Sequence, residues 1–201
     1  MNKIITVGRE FGSGGREFGR RLAEELGIEY YDKEIITAIA EKTSMSQEYI
    51  QEVLEGKPHH LYPITIGQSM WVTDNFYVNQ EQSIYLAQSE IIRELAQKSS
   101  CVIVGRCADF ILSDLKPYRI FVYADIDSRI KRCIARNTDP TKHHTEKEMK
   151  KQILSIDKNR AKYYNYYTGN NWGDINNYDL CINTTDQVIK DIVPVIAKIF
   201  K

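Results

Sequence analysis

Strand-like and helix-like segments alternate along this chain of 201 residues, and the alternation predicts an α/β fold around a parallel sheet. Two stretches carry the prediction furthest. Cys101-Val102-Ile103-Val104 is an unbroken apolar run, the pattern of a strand covered on both faces. Ile4-Ile5-Thr6-Val7 runs through a glycine-rich stretch into a helical one, giving strand, loop and helix in the order that cradles phosphate.

That first strand leads into Gly8-Arg9-Glu10-Phe11-Gly12-Ser13-Gly14-Gly15-Arg16-Glu17, with four glycines in eight residues. Glycines permit positive φ and close approach of backbone N–H groups to an anion, and the following helix points its positive end at the same place. A turn without a ligand needs one or two glycines; this one has four, and two arginines besides. Measured against G-x-x-x-x-G-K-[ST], Arg9 stands at the first glycine and Gly15 where the Lys belongs, and the Mg²⁺-binding hydroxyl is missing, with Arg16 at its position and Glu17 next to it. Against G-x-G-x-x-G, Glu17 stands at the third glycine. That makes a dinucleotide-dependent oxidoreductase a distant reading, testable by stabilisation with NAD(H) or NADP(H).

Residues 17–26 place Phe18, Leu22, Ala23 and Leu26 on one helical face, and Gly27 stops the helix. Residues 28–31 read as a short strand ending at Asp32, which caps the helix starting near Lys33, contacts substrate at the ligand edge of the sheet, or does both. Ile35, Ile36, Ile39 and Ala40 continue that helix, and Ser44-Met45-Ser46-Gln47 opens another to Leu54, broken by Gly56-Lys57-Pro58. Residues 59–78 hold Tyr62, Trp71, Phe76 and Tyr77 without a period, either a base-stacking lobe or a satellite core.

A helix over 80–98 precedes the buried strand 101–104, after which Gly105-Arg106 emerges at the carboxyl end beside the glycine loop, with Asp109 following. Residues 119–124 form a further strand, and Asp127-Ser128 caps a helix bearing Arg129, Arg132 and Arg136 on one stripe. The stripe is either a solvated face or, lacking acidic partners of its own, a site for an anion. A polar loop with Pro140 and His143-His144 precedes a long helix over 146–164 carrying Asp157 and Arg160. An aromatic tract, 163–169, leads out of it; a last strand, 178–182, and a helix over 187–200, kinked or divided at Pro194, close the chain.

Lys plus Arg and Asp plus Glu number 27 each, so no global field draws the protein to nucleic acid or membrane, and a local basic cluster reads as a site. The scattered Cys101, Cys107, Cys133 and Cys181 suit reduced core thiols, and adjacent histidines diverge too far to share a metal. No apolar run approaches the about 18 residues of a membrane span, so a cytoplasmic protein is expected, with one core or one core plus an inserted lobe. The pattern specifies no oligomeric state.

Gly12-Ser13-Gly14, Tyr31-Asp32, Val104-Gly105-Arg106, the three stripe arginines and Asp157-x-x-Arg160 fall in the order of bacterial cytidylate kinases. The wording GREFGSGGREFGRRLAEELG, YYDKEII and VIVGR resembles cytidylate kinase-like proteins more closely still. The resemblance implies a single P-loop domain, a three-layer α/β/α sandwich with a helical lid near 127–160 and an inserted substrate lobe near 43–80. It implies phosphoryl transfer from ATP, with Mg²⁺, to a nucleoside monophosphate such as CMP or dCMP.

On that resemblance Gly12, Ser13, Gly14, Gly15, Arg16 and Glu17 hold the ATP phosphates, and Arg106 the acceptor phosphate. Asp32 or Asp109 reads the acceptor's sugar or base. Asp157 and Arg160 contact substrate, or form a helix salt bridge. Arg129, Arg132 and Arg136 close on the transferring group. Arg16 is the nearest replacement for the missing Lys, and Glu17 either ligates Mg²⁺ or favours the helix start. Cys107 stands where the cytidylate kinase pattern has Asp, and Ile153 where it has Arg. These departures motivate a second function: a catalytically impaired nucleotide-binding module acting as sensor or partner protein.

Overall fold

A computed structural model describes residues 2–54, 73–136 and 145–201, with the backbone alone for 73–79. Most of the expected lobe, including His59, His60, Tyr62 and Trp71, lies outside the described residues, as do Pro140, His143 and His144.

The strands are β1 (Ile4–Arg9), β2 (Glu29–Tyr31), β3 (Cys101–Val104), β4 (Tyr118–Tyr123) and β5 (Leu180–Asn183). They lie in the order β2-β3-β1-β4-β5, every pair parallel. The helices are α1 (Gly15–Leu26), α2 (Glu34–Thr43), α3 (Gln47–Leu54), α4 (Thr73–Lys98), α5 (Ala108–Ile111), α6 (Ile126–Ala135), α7 (Glu146–Thr168) and α8 (Ile189–Ala197). Because β1 is central, with β3 on one side and β4 on the other, the chain reverses its direction of winding there. The crevice at the strands' carboxyl ends opens at that point.

Alternation along the strands builds two cores. Ile4, Cys101 and Ile103 face Ile35, Ile39, Ile84 and Ile92 of α2 and α4. Ile5, Val7, Val102 and Val104 face Phe18 and Leu22 of α1 and Val193 of α8. Phe18 and Leu22 are fully buried, each contributing about 1.5–3 kcal/mol by burial. A smaller cluster, Ile130, Met149 and Ile153 with Phe11 against it, joins α6 and α7 to the glycine loop. Ile153, at the position of a family arginine, is core.

The structure corrects several local expectations. Helix α1 begins at Gly15, so Gly15 and Arg16 belong to its first turn. Asp32 does not cap α2: its N-cap is Lys33, without a side-chain bond. Instead Glu34 reaches back to the Asp32 amide at 3.0 Å. Asp125, not Asp127 or Ser128, precedes α6, and Ser128 Oγ donates to Asp186 at 3.0 Å. The backbone of α4 is already helical from Thr73, inside the stretch without a period. Helix α7 runs through the aromatic tract to Thr168, where Gly169 at φ 70 ends it. Pro194 sits inside α8, and the helix stops at Ala197.

Candidate functional site

The glycine loop leaves β1 at Arg9 and enters α1 at Gly15, with Gly12 at φ 79 and Gly14 at φ 86. Both need glycine twice over. A Cβ at Gly12 would lie 2.9 Å from Cys133 Sγ, and one at Gly14 would lie 2.7 Å from Ile189 Cδ1. The loop is tied internally by Ser13, whose Oγ donates to the Glu10 carbonyl at 2.9 Å and accepts from the Gly15 amide at 3.3 Å. Ser13 is therefore buried, its side chain turned into the loop. Thr184 Oγ1 donates to the Ser13 carbonyl at 2.6 Å. A loop pinned from outside keeps its N–H groups aimed without reorganising when an anion arrives.

The stripe arginines do much of that pinning. Arg129 is 5% exposed, donates to the Phe11 carbonyl at 2.7 Å, and is paired with Asp157 and, at 3.2 Å, with Glu10. Arg132 donates to the carbonyls of Gly12 at 2.8 Å and Thr184 at 3.0 Å. Arg136, half exposed, pairs with Glu17. Glu10, Asp157 of α7 and Glu17 of α1 supply Arg129 and Arg136 with the acidic partners that the stripe lacks in its own helix, and two carbonyls supply Arg132, so a bound anion is not needed to hold these three together. Arg132 and Arg136 line the cavity described below; Arg129 lies behind the loop.

Asp157 is committed in the same way: Oδ1 accepts the Phe11 amide at 2.8 Å and lies 3.9 Å from Arg160. Burial pushes its carboxyl above the usual range, against the Phe11 amide and Arg129, which pull it down. Arg160 lies 5.5 Å over the Phe11 ring, donates to the Arg9 carbonyl at 3.4 Å, and lines the cavity.

Beyond the loop a cavity of about 880 Å³ opens along the strand ends. Its donor side is Gly12, Gly14, Gly15 and Arg16; its far side is Gly105, Arg106 and Asp109. The turn after β3 is strained, with Gly105, Arg106 and Cys107 all at positive φ (74, 59 and 54). Strain of this kind persists where the surroundings fix a side chain for use. Here it aims Arg106 into the cavity, its Nε donating to the Asp32 carbonyl at 3.1 Å. Burial pushes the Arg106 guanidinium down to about 10, opposed by Asp32 and assisted by Arg9, so it remains charged at neutral pH.

Asp32 is 2% exposed and pairs through Oδ2 with Arg16 at 2.7 Å; its Oδ1 lies 4.0 Å from Arg9. It stands behind the arginines and sets their positions. Asp109 accepts from the Tyr164 hydroxyl at 2.6 Å, and burial pushes its carboxyl up. Tyr163, Trp172 and Tyr178 stand with it in the cavity wall, aromatic surface on which a ring can pack.

The cradle fits nucleotide phosphates: two positive-φ glycines, a helix of 12 residues behind them with no side-chain cap at Gly14, and cationic walls. Glu17 does not fit a Mg²⁺ ligand, because Arg21 takes one oxygen at 2.8 Å and Arg136 the other. Among the described residues no three His, Cys, Asp or Glu side chains gather as a metal site. The sequence reading missed Arg9, Lys33 and Tyr163 in the cavity wall. The signal for Arg9 is spatial: its side chain passes where Gly15 and Gly105 have no Cβ.

The sequence pattern of the cytidylate kinase-like family matches residues 4–186, and the chain belongs to that family. It is 25% identical over 195 residues to the cytidylate kinase of Methanopyrus kandleri, covering 92% of this chain and 86% of that protein. The crystal structure of an uncharacterized protein from Eubacterium ventriosum is similar at TM-score 0.68 and 30% identity, covering 98% of each chain. Shikimate kinase from Bacteroides thetaiotaomicron superposes at TM-score 0.57 with 16% identity over 98% of this chain and 97% of its own. That last likeness is one of fold, the α/β P-loop fold.

Proposed function

We propose that this member of the cytidylate kinase-like family is an ATP-dependent kinase acting on a nucleoside monophosphate, CMP or dCMP first among the candidates. One observation carries the reading: a single cavity holds a glycine cradle at one side and Arg106 at the other, with arginines between. Two anionic groups facing each other are what that arrangement accommodates, and phosphoryl transfer between phosphates presents two. The cytidylate kinase from Methanopyrus kandleri supports the choice of acceptor.

In the reaction, an oxygen of the acceptor phosphate forms a new bond to the γ-phosphorus of ATP. The bond from that phosphorus to the β,γ-bridging oxygen breaks, and its electron pair leaves on ADP. An acceptor phosphate dianion has no proton to lose, so no general base is required. The loop N–H groups hold the ATP phosphates, Arg106 orients the acceptor phosphate, and Arg132 on α6 and Arg136 at its end lie beside the loop where charge spreads over the transferring group. Asp109 and the aromatic wall would meet the acceptor's nucleoside. Mg²⁺, when bound, supplies further positive charge to the phosphates.

A catalytically impaired nucleotide-binding module is the second reading, favoured by Gly15 at the Lys position of the loop and by Arg16-Glu17 following it where a hydroxyl would be needed. ADP release from ATP and Mg²⁺, screened with CMP, dCMP, UMP, AMP, GMP and no acceptor alongside thermal shift, separates the two. Acceptor-dependent ADP release is expected. Nucleotide-dependent stabilisation with no turnover on any acceptor would favour the module.

A further inference from the structure

We propose that Arg9 supplies, from the end of β1, the phosphate-binding cation that the glycine loop lacks at position 15. The inference rests on the reading of the cavity as an ATP site. Lysine in this kind of loop leaves the first turn of the helix and returns over the phosphates. In this chain that route is filled. A Cβ at Gly15 would overlap Arg9 Cβ and lie 3.1 Å from Arg9 Cγ and 3.2 Å from Val122 Cβ. The Arg9 stem occupies the space through which a side chain at position 15 would have to leave, so Gly15 and Arg9 are two halves of one substitution.

The far end of Arg9 repeats the pattern. A Cβ at Gly105 would overlap Arg9 Nη1 and lie 2.8 Å from Cζ. Glycines in two separate loops, one after β1 and one after β3, thus open a channel that the Arg9 side chain crosses. Its guanidinium ends between the glycine cradle and the Arg106 turn, the boundary that a transferring phosphoryl group must cross. Asp32 Oδ1 lies 4.0 Å from Arg9 Nη2, an ion-pair approach without a hydrogen bond; the Arg9 side chain is 15% exposed and lines the cavity. A planar guanidinium presents parallel donors to two phosphate oxygens, which a lysine cannot.

Arg16, the replacement expected from sequence, is placed otherwise. Its Nε is tied to Asp32 Oδ2 at 2.7 Å and its side chain is 55% exposed. It positions Asp32 from the solvent side, and Arg9 takes the inner place.

The test uses the full chain and four variants: Arg9→Met, Arg9→Lys, Gly15→Lys and the double variant Arg9→Ala/Gly15→Lys. Titration calorimetry gives the Kd for ATP and for AMP, thermal unfolding without ligand gives the fold, and kcat is measured with whichever acceptor turns over. Arg9→Met keeps the stem beside Gly15 and removes the guanidinium that lies against Gly105. It is expected to weaken ATP at least tenfold, leave AMP within about twofold, and lower kcat about a hundredfold, the scale of removing one donor to a transition-state charge. Arg9→Lys should recover part of both losses. Gly15→Lys alone should unfold at lower temperature without improving ATP binding. The double variant, with the channel vacated, should bind ATP more tightly than Arg9→Met.

Folded Arg9→Met with ATP affinity within twofold of wild type would overturn the proposal, as would Gly15→Lys that is as stable as wild type. If wild type binds ATP but phosphorylates no acceptor, the kinase reading fails and the Kd values alone decide Arg9. If wild type binds no ATP, both fall.

Discussion

The Phe11 amide donates a 2.8 Å hydrogen bond to Asp157 Oδ1, fastening the glycine loop to α7 across 146 residues of chain. Arg129 completes the clasp by donating to the Phe11 carbonyl at 2.7 Å while pairing with the other oxygen of the same carboxylate. One buried ion pair thus satisfies both polar groups of one loop residue, and the Ile130, Met149 and Ile153 cluster packs the Phe11 ring beside it. Arg129 and Asp157 hold the loop from behind and do not line the cavity.

Asp157→Ala is therefore expected to destabilise the protein before it affects chemistry. It leaves Arg129, 5% exposed, with Glu10 as its carboxylate at 3.2 Å. Breaking a buried pair costs about 3–5 kcal/mol, and the retained Glu10 places this case near the low end, about 3 kcal/mol. Asp157→Asn still accepts the Phe11 amide and should cost less. Urea unfolding of both variants checks the order; a loss below about 1 kcal/mol for Asp157→Ala would mean the clasp does not hold the loop.

Gly14→Ala separates conformational strain from packing when set against Gly27→Ala. Gly27 has φ 63 and nothing within 4 Å of a built Cβ, so its cost is the left-handed conformation alone, about 1–2 kcal/mol. Gly14 has φ 86 and would press a Cβ to 2.7 Å from Ile189 Cδ1. Gly14→Ala should be the more destabilised in thermal unfolding and should lose nucleotide-dependent stabilisation, which Gly27→Ala should keep. Equal behaviour of the two would remove the loop's role in binding nucleotide.

The sheet was legible because β1, β3, β4 and β5 are built on short apolar runs, residues 4–7, 101–104, 120–122 and 180–182, and these runs need no tertiary knowledge to find. Arg106 was legible from its position: a charged residue two places after Val104 has to leave the core at the ligand edge. The stripe arginines were legible as a cluster but not as a clasp. Their partners, Glu10, Glu17, Asp157 and the Gly12 and Thr184 carbonyls, come from elements distant in sequence. Arg9 was illegible as a functional group because what marks it is the missing Cβ of Gly15 and Gly105, a relation among the end of β1, the first turn of α1 and the turn after β3 visible only once they are in space. Asp32 reads as a cap by position, yet the arginines around the cavity draw its side chain to them.

Arg106→Ala tests the division of the cavity into two ends. A hydrogen bond to a charged group contributes about 1.5–3 kcal/mol, so the acceptor's KM should rise roughly tenfold to a hundredfold. The KM for ATP should change little, because the cradle is built from the β1 loop and α1. A rise in the KM for ATP with the acceptor's unchanged would reverse the assignment of the two ends.

Asp109 makes a pH prediction whose sign follows from its burial. Its carboxyl accepts from Tyr164 at 2.6 Å, and desolvation, the largest influence on it, pushes its folded pKa above the ordinary 3.8. The unfolded chain then ionises at lower pH than the folded one. Folding is penalised as pH rises through the window from 3.8 to the folded value, and the penalty is withdrawn as pH falls back through it. Asp109→Asn removes the titration and keeps a carbonyl to accept the Tyr164 hydroxyl. Urea unfolding of both proteins from pH 7 down to pH 4 should show wild type gaining stability relative to Asp109→Asn as pH falls. The two proteins would instead keep a constant difference if Asp109 were as well solvated folded as unfolded. A shift in the opposite direction would mean that a nearby cation, not burial, governs the carboxylate, and would place Asp109 in the arginine network rather than in the aromatic wall.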